Sequence, residues 1–232
     1  TTKYFIIQTS AATLILFAST VSALQTGHWS IISSASHQAT LVTTIALLLK
    51  LGAAPTHLWY PEILQGTTMP VALTIATWQK IAPLSLLMLM HMHLPNTLIL
   101  LAGLMSVAIG GLTGLNQTQT RKIMAFSSIA HMGWLLTTLS LAPQLTTLTL
   151  AIYVLTTLAT FTPLTMITTK TFTDTNTAGF SSPALLTLTM LSLMSLGGLP
   201  PLTGFLPKLL ILKGLVTKNL LPLGTALALA SL

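Results

Sequence analysis

Seven stretches of this chain are apolar enough and long enough to cross a lipid bilayer, which constrains the fold more than any single residue. They run from Lys3 to Leu24, Gln38 to Leu58, Pro70 to His91, Thr97 to Leu115, Lys122 to Leu141, Gln144 to Thr168 and Ser182 to Val216, and an eighth begins at Leu220. A hydrocarbon layer of about 30 Å is spanned by about 20 helical residues rising about 1.5 Å each. Inside that layer every backbone N–H and C=O must be satisfied internally, so the stretches are predicted to be helices and the chain an all-α polytopic membrane protein. Their many threonines do not argue for strands, because a Thr hydroxyl can bond back to its own helix.

Charge is correspondingly scarce. Charged residues make up 5% of the 232, against 52% apolar, whereas a soluble domain carries about 25% charged residues and could not be covered by so few. The net charge of +7 comes from nine Lys and Arg against two acids, Glu62 and Asp174. It does not indicate a nucleic-acid partner: the cations either sit inside apolar stretches or mark segment ends, and no basic run alternates with aromatics. With no cysteine there is no disulfide, thiolate ligand or thiol nucleophile. The chain starts at Thr1 and stops within an apolar run, and it is read as a fragment of one membrane domain. Threading seven crossings puts Lys3, the loop carrying Arg121 and Lys122, and Lys170 with Asp174 on one side, with Lys213 and Lys218 on the other. The positive-inside rule makes the first side cytoplasm or mitochondrial matrix.

An internal repeat gives this bundle its organisation. Gly52, Pro55 and Pro61 have the spacing G-x2-P-x5-P, and Gly198, Pro201 and Pro207 repeat it. Proline inside a helix removes a backbone bond and clashes with the preceding turn, so both places are predicted breaks in spanning helices. At membrane depth such backbone is tolerated where it lines a cavity or is packed in protein. The two motifs enter from opposite sides, the mark of inverted repeats with a site near the midplane; residues 1–95 are assigned to the first repeat and 96–232 to the second. Coincidence of two Gly/Pro kinks is the plainer explanation of the spacing.

Ionisable groups within the spans carry the chemistry, because each costs about 2.5–3.5 kcal/mol to insert at a helix centre. Lys80 lies midway along its segment, as a proton site or as a structural amine near Pro83. Lys50 precedes the first break, where it either meets freed carbonyls or snorkels to an interface. Lys208 directly follows the second break and aligns with Glu62, which directly follows the first; the plainer readings are a structural amine and an N-terminal helix charge. His57 lies two turns beyond Lys50, on the same face if the helix continued, and His131 shares a polar face with Ser127, Ser128 and Trp134. A buried amine loses proton affinity through desolvation and regains it beside opposite charge. Two charges about 8 Å apart at an effective dielectric of about 20 interact by about 2 kcal/mol, enough to load or empty a neighbouring site. Lys50, Lys80, Lys208 and His131, with His57 and Glu62 as weaker candidates, are therefore read as proton-transfer groups. No spacing fits a metal, nucleotide or acyl-transfer site, and no covalent chemistry or bound cofactor is expected in the chain itself.

Four stretches carry a family resemblance: Lys50 to Gly66, Thr77 to Pro83, Gly111 to Trp134 and Leu196 to Lys208. In this order they are similar to the NADH dehydrogenase subunit 2 family of mitochondrial complex I, over essentially the whole chain. The resemblance implies a multi-pass subunit of the mitochondrial inner membrane, related to Mrp-type antiporters. It would translocate protons beside other membrane subunits while the complex passes electrons from NADH to ubiquinone. NADH, FMN, iron–sulfur clusters and ubiquinone would belong to the rest of that complex. By position Lys50, Lys80 and Lys208 match the family's buried lysines, and His131 a histidine following its polar loop. The family's glutamate that partners the lysine matching Lys50 would precede Thr1, and further helices would follow Leu232, so this stretch by itself is not expected to pump. A stand-alone cation/proton antiporter and a purely structural scaffold are the rival readings.

Overall fold

The computed structural model describes residues 2–29, 37–167, 171 and 183–231. Among them the regular structure is helical, apart from one isolated antiparallel bridge between Gln119 and Thr171. Helix α1 (Thr2–Thr26) crosses alone. Helices α2 (His37–Leu51) and α3 (Trp59–Gly66) are halves of one interrupted crossing, and α4 (Met69–Ala76) runs on through Thr77 into α5 (Trp78–Leu89). Helices α6 (Asn96–Leu115), α7 (Thr120–Leu141) and α8 (Pro143–Ile167) are continuous. Helices α9 (Pro183–Gly197) and α10 (Phe205–Thr217) form a second interrupted crossing, and α11 (Leu221–Ala230) follows. Five of these segments, counting α4 and α5 as one, are long and apolar enough to cross a membrane uninterrupted. With the two broken crossings they reproduce the seven expected segments.

The threonine-rich spans stay helical for the reason expected of them. Hydroxyl after hydroxyl donates to a carbonyl three or four residues earlier in its own helix, as Thr43 to Thr40, Thr137 to Trp134, Thr149 to Thr146 and Thr160 to Thr157 do. Large apolar side chains such as Phe5, Ile6, Leu16 and Phe17 cover the outside of α1, the surface a lipid solvent selects.

Both breaks have the same hydrogen-bonded geometry. At the end of α2 the Gly52 N–H donates to the Leu49 carbonyl at 3.2 Å and the Ala53 N–H to the Leu48 carbonyl at 3.1 Å. At the end of α9 the Gly198 N–H donates to Ser195 at 3.0 Å and the Leu199 N–H to Met194 at 3.3 Å. This pair of bonds is a Schellman cap, which needs a left-handed residue, and Gly52 and Gly198 supply φ of 68° and 80°. The peptides Ala54–Pro55 and Pro200–Pro201, equally placed after the two glycines, are both cis. A freed donor in the first break finds a side chain: the Ala54 N–H donates to the Ser106 hydroxyl of α6 at 2.9 Å, and Ser106 donates on to the Ala102 carbonyl at 2.6 Å.

Small residues bring α6 and α7 together. A Cβ on Gly103 would stand 2.8 Å from a Thr137 methyl, and one on Gly110 would stand 2.7 Å from the Ala130 nitrogen, so the two backbones approach as only glycine allows. This contact fixes the helix carrying His131 and Trp134.

Polar contacts sort to the two ends as the threading requires. At one end Lys3 pairs with Glu62 at 2.6 Å, and Arg121 donates to the carbonyls of Gln65 and Thr67 at 3.1 and 2.7 Å. At the other, Lys218 caps α7 by donating to the carbonyls of Ser140 and Leu141 at 2.9 and 3.0 Å. Lys170 and Asp174 lie outside the described residues.

Candidate proton-transfer site

Lys80 opens the site. It sits in the first turn of α5 and is 2% exposed. Its ammonium nitrogen donates to the Tyr153 hydroxyl of α8 at 3.2 Å, and Tyr153 donates to the Ala76 carbonyl at 2.9 Å. The same nitrogen lies 4.6 Å from the centre of the Tyr60 ring and 5.3 Å from that of Tyr153. Among the described residues no carboxylate reaches ion-pair distance of it. A desolvated cation–π contact contributes about 2 kcal/mol and a hydrogen bond to a charged group about 1.5–3 kcal/mol, so the Tyr60 ring and the Tyr153 hydroxyl are of the right size to offset the insertion cost of about 2.5–3.5 kcal/mol.

His131 continues the row from α7. Its ring lies 5.5 Å from that of Tyr153, tilted by 37°. Nδ1 stands 2.8 Å from the Ser127 carbonyl, an oxygen that can only accept, so Nδ1 carries the hydrogen in the neutral ring and Nε2 keeps the lone pair. Ser128, one residue on, lies beside the hydroxyls of Tyr60 and Tyr153 while giving its own hydrogen to Ala125 at 2.7 Å. The Tyr60 hydroxyl is left with no partner in hydrogen-bond geometry. Of the polar face expected of α7, Ser128 and His131 lie toward the tyrosines beside Lys80, while Ser127 and Trp134 line space beside Lys208.

Lys208 closes the row from the second break. Its nitrogen donates to the Gly197 carbonyl at 2.7 Å and lies 6.0 Å from the centre of the Trp134 ring. Gly198 lets it in, since a Cβ there would meet the Lys208 nitrogen at 2.8 Å. The lysine therefore caps a carbonyl, as its plainer reading had it, while facing the interior. His131 is within electrostatic reach of both Lys80 and Lys208. Between His131, Tyr153 and Lys208 lies a cavity of about 20 Å³, also lined by Trp134, Thr149 and Gly204. A water needs at least about 10–15 Å³ of such space, so one fits.

The remaining candidates do not join this row. Lys50 is half-buried in the last turn of α2 and makes no hydrogen bond or ion pair among the described residues. His57 does not share a helical face with Lys50: α2 ends at Leu51, and His57 lies within the break, buried, its Nδ1 unpartnered. It faces a cavity of about 260 Å³ whose rim includes Glu62, Gln65, Gln117 and Lys122. Glu62 is exposed in the first turn of α3 and held by Lys3. The alignment of Glu62 with Lys208 holds in backbone position, but the surroundings differ because α1 supplies a cation to one and α7 an indole to the other.

Tyr60 and Tyr153 escaped the sequence reading, which weighed residues by charge. For Tyr153 a signal was present: of the three tyrosines it alone lies mid-segment, whereas Tyr in membrane proteins favours the interfaces; Tyr60, just past Leu58, carried none.

Comparison with known proteins agrees with this architecture. The NADH:quinone oxidoreductase/Mrp antiporter transmembrane family matches residues 1–232. NADH-ubiquinone oxidoreductase chain 2 of Lycodon semicarinatus is 48% identical over 231 residues, covering 100% of this chain and 67% of the relative. The protein of the same name from Squalus acanthias is 46% identical over 232 residues, again covering 100% and 67%. A chain of respiratory complex I from Thermus thermophilus, solved with bound aureothin, superposes with a TM-score of 0.87 at 28% identity, over 99% of this chain and 55% of that one. A chain of the Mrp complex from Dietzia sp. shares the fold at a TM-score of 0.86 and 17% identity, over 99% and 47%. The chain is thus similar to subunits of multi-subunit membrane complexes, and it belongs to the NADH:quinone oxidoreductase/Mrp antiporter transmembrane family.

Proposed function

We propose that this chain is part of a proton-translocating membrane subunit of NADH:ubiquinone oxidoreductase, resident in the mitochondrial inner membrane and packed against other membrane subunits of that complex. The redox cofactors and the quinone lie elsewhere in the assembly. Residues 1–95 and 96–232 belong to two inverted repeats, a reading supported by the shared Schellman geometry of the breaks. One observation carries the functional reading: Lys80, Tyr153, His131 and Lys208 follow one another across four helices, α5, α8, α7 and α10, with space for one water before the last. A proton leaving Lys80 passes to the Tyr153 hydroxyl as that hydroxyl's own hydrogen turns from Ala76 toward His131. Nε2 accepts it, and the water hands it to neutral Lys208. Loading either amine raises the cost of a charge at His131, so arrival at one end favours departure at the other. The cavity below His57 supplies a hydrated approach from the end where Lys3 and Arg121 lie. Lys50, at the other side of the break, gates that approach by its charge.

The test is Lys80→Met in the full-length subunit within the assembled complex. Electron transfer coupled to proton translocation should be lost while assembly persists. Normal translocation in that variant would remove the basis of the proposal.

A further inference from the structure

We infer that the Tyr60 ring and the Tyr153 hydroxyl form a two-part clamp that holds the Lys80 ammonium, with Tyr60 as a positioning residue acting through its ring face. The inference rests on the proposed role of Lys80 as a proton site.

Three observations lead to it. The Lys80 nitrogen lies 4.6 Å from the Tyr60 ring centre, within the distance of about 6 Å at which a ring face attracts a cation, and it donates to the Tyr153 hydroxyl at 3.2 Å. Among the described residues no carboxylate reaches ion-pair distance of Lys80, and Glu62 is held by Lys3 at the surface. Lys80 donates its hydrogen bond to Tyr153 and makes none to the Tyr60 hydroxyl, so the ring is the part of Tyr60 that meets the ammonium.

The clamp is also tied to the first break. Gly52, in its left-handed conformation, leaves the space that Tyr60 fills, since a Cβ there would stand 3.2 Å from the Tyr60 Cβ. Movement of the break therefore moves one jaw relative to Lys80, while the other jaw stays on α8, hydrogen-bonded to Ala76. A ring face differs from a carboxylate in a useful way. It stabilises the ammonium without accepting its proton, so the proton remains available to the Tyr153 hydroxyl. Around Lys80 the titratable groups are Tyr60 from α3, Tyr153 from α8 and His131 from α7, with Lys50 in the last turn of the neighbouring α2.

The experiment places Tyr60→Phe and Tyr60→Leu in the full-length subunit of the assembled complex and measures proton translocation against pH, with Lys80→Met in parallel. Tyr60→Phe keeps the ring and should match the unsubstituted complex. Tyr60→Leu should move the alkaline limb of the profile toward acid by about one pH unit. A Leu variant superimposable on the parent, or a Phe variant displaced as far as the Leu variant, overturns the clamp. Should Tyr60→Leu fail to assemble, tetrafluorophenylalanine at position 60 keeps the shape and drains the ring face of electron density. The acid shift is then expected from it, and no shift refutes the clamp. If Lys80→Met translocates normally, the proton-site reading fails and the clamp with it; if Lys80→Met is inactive and Tyr60→Leu is normal, the clamp alone fails.

Discussion

The Lys80 ammonium nitrogen and the Tyr153 hydroxyl oxygen are 3.2 Å apart, across 73 residues of sequence. That bond joins α5 to α8, and the hydroxyl bonds on to Ala76 of α4 at 2.9 Å, so one oxygen holds three helices in register. Tyr153→Phe keeps the ring beside His131 and removes only the oxygen. A hydrogen bond to a charged group contributes about 1.5–3 kcal/mol, so the coupled translocation rate should fall by about tenfold or more while the complex assembles. Rates measured on reconstituted vesicles decide this, and an unchanged rate would take Tyr153 out of the path.

Gly198 is the position where backbone geometry and the Lys208 amine meet. Alanine there faces a φ of 80° and would place its Cβ 2.8 Å from the Lys208 nitrogen. The left-handed conformation alone costs an L-residue about 1–2 kcal/mol. Gly198→Ala should therefore lower the thermal stability of the purified complex and draw Lys208 off the Gly197 carbonyl, reducing translocation more than electron transfer. Equal loss of both rates would contradict that placement.

The α6–α7 contact tolerates no volume. Gly133→Leu would drive a side chain into Gly103 and Val107, and overpacking on this scale costs about 1–3 kcal/mol or more. Loss of the assembled complex on native gels is the expected outcome. Gly114→Ala is the control, because its Cβ would meet Phe126 at an ordinary 3.5 Å, and normal assembly is expected.

The Lys3–Glu62 pair is exposed on both sides, at 71% and 57%, where solvent and salt screen the attraction. Lys3→Met and Glu62→Gln should each assemble normally and translocate at rates close to the parent. A severe defect in Glu62→Gln alone would return that carboxylate to the transfer path.

Much of this architecture was legible because it is encoded locally. The breaks follow from Gly52, Pro55, Pro61 and their counterparts, since a left-handed cap and a missing N–H are properties of those residues wherever they stand. The depth of Lys80 and the polar face of α7 follow from helical periodicity. What was not legible depends on which segments become neighbours. Nothing in the residues around Lys80 says that tyrosines from positions 60 and 153 will meet it, and nothing around Glu62 says that Lys3 will claim it. The place of His57 was open for a related reason: it would share a face with Lys50 only in a continuous helix, and the break at Gly52 and Pro55 removes that condition.

The threonines that turn their hydroxyls back onto their own helices have a bearing on insulation. Each hydroxyl owns one hydrogen, and in α2, α7 and α8 that hydrogen is spent on a carbonyl a turn away. A hopping charge needs hydrogens free to reorient from one neighbour to the next. A wall rich in hydroxyls but poor in free hydrogens therefore resists leakage along its flanks, although its composition looks wet.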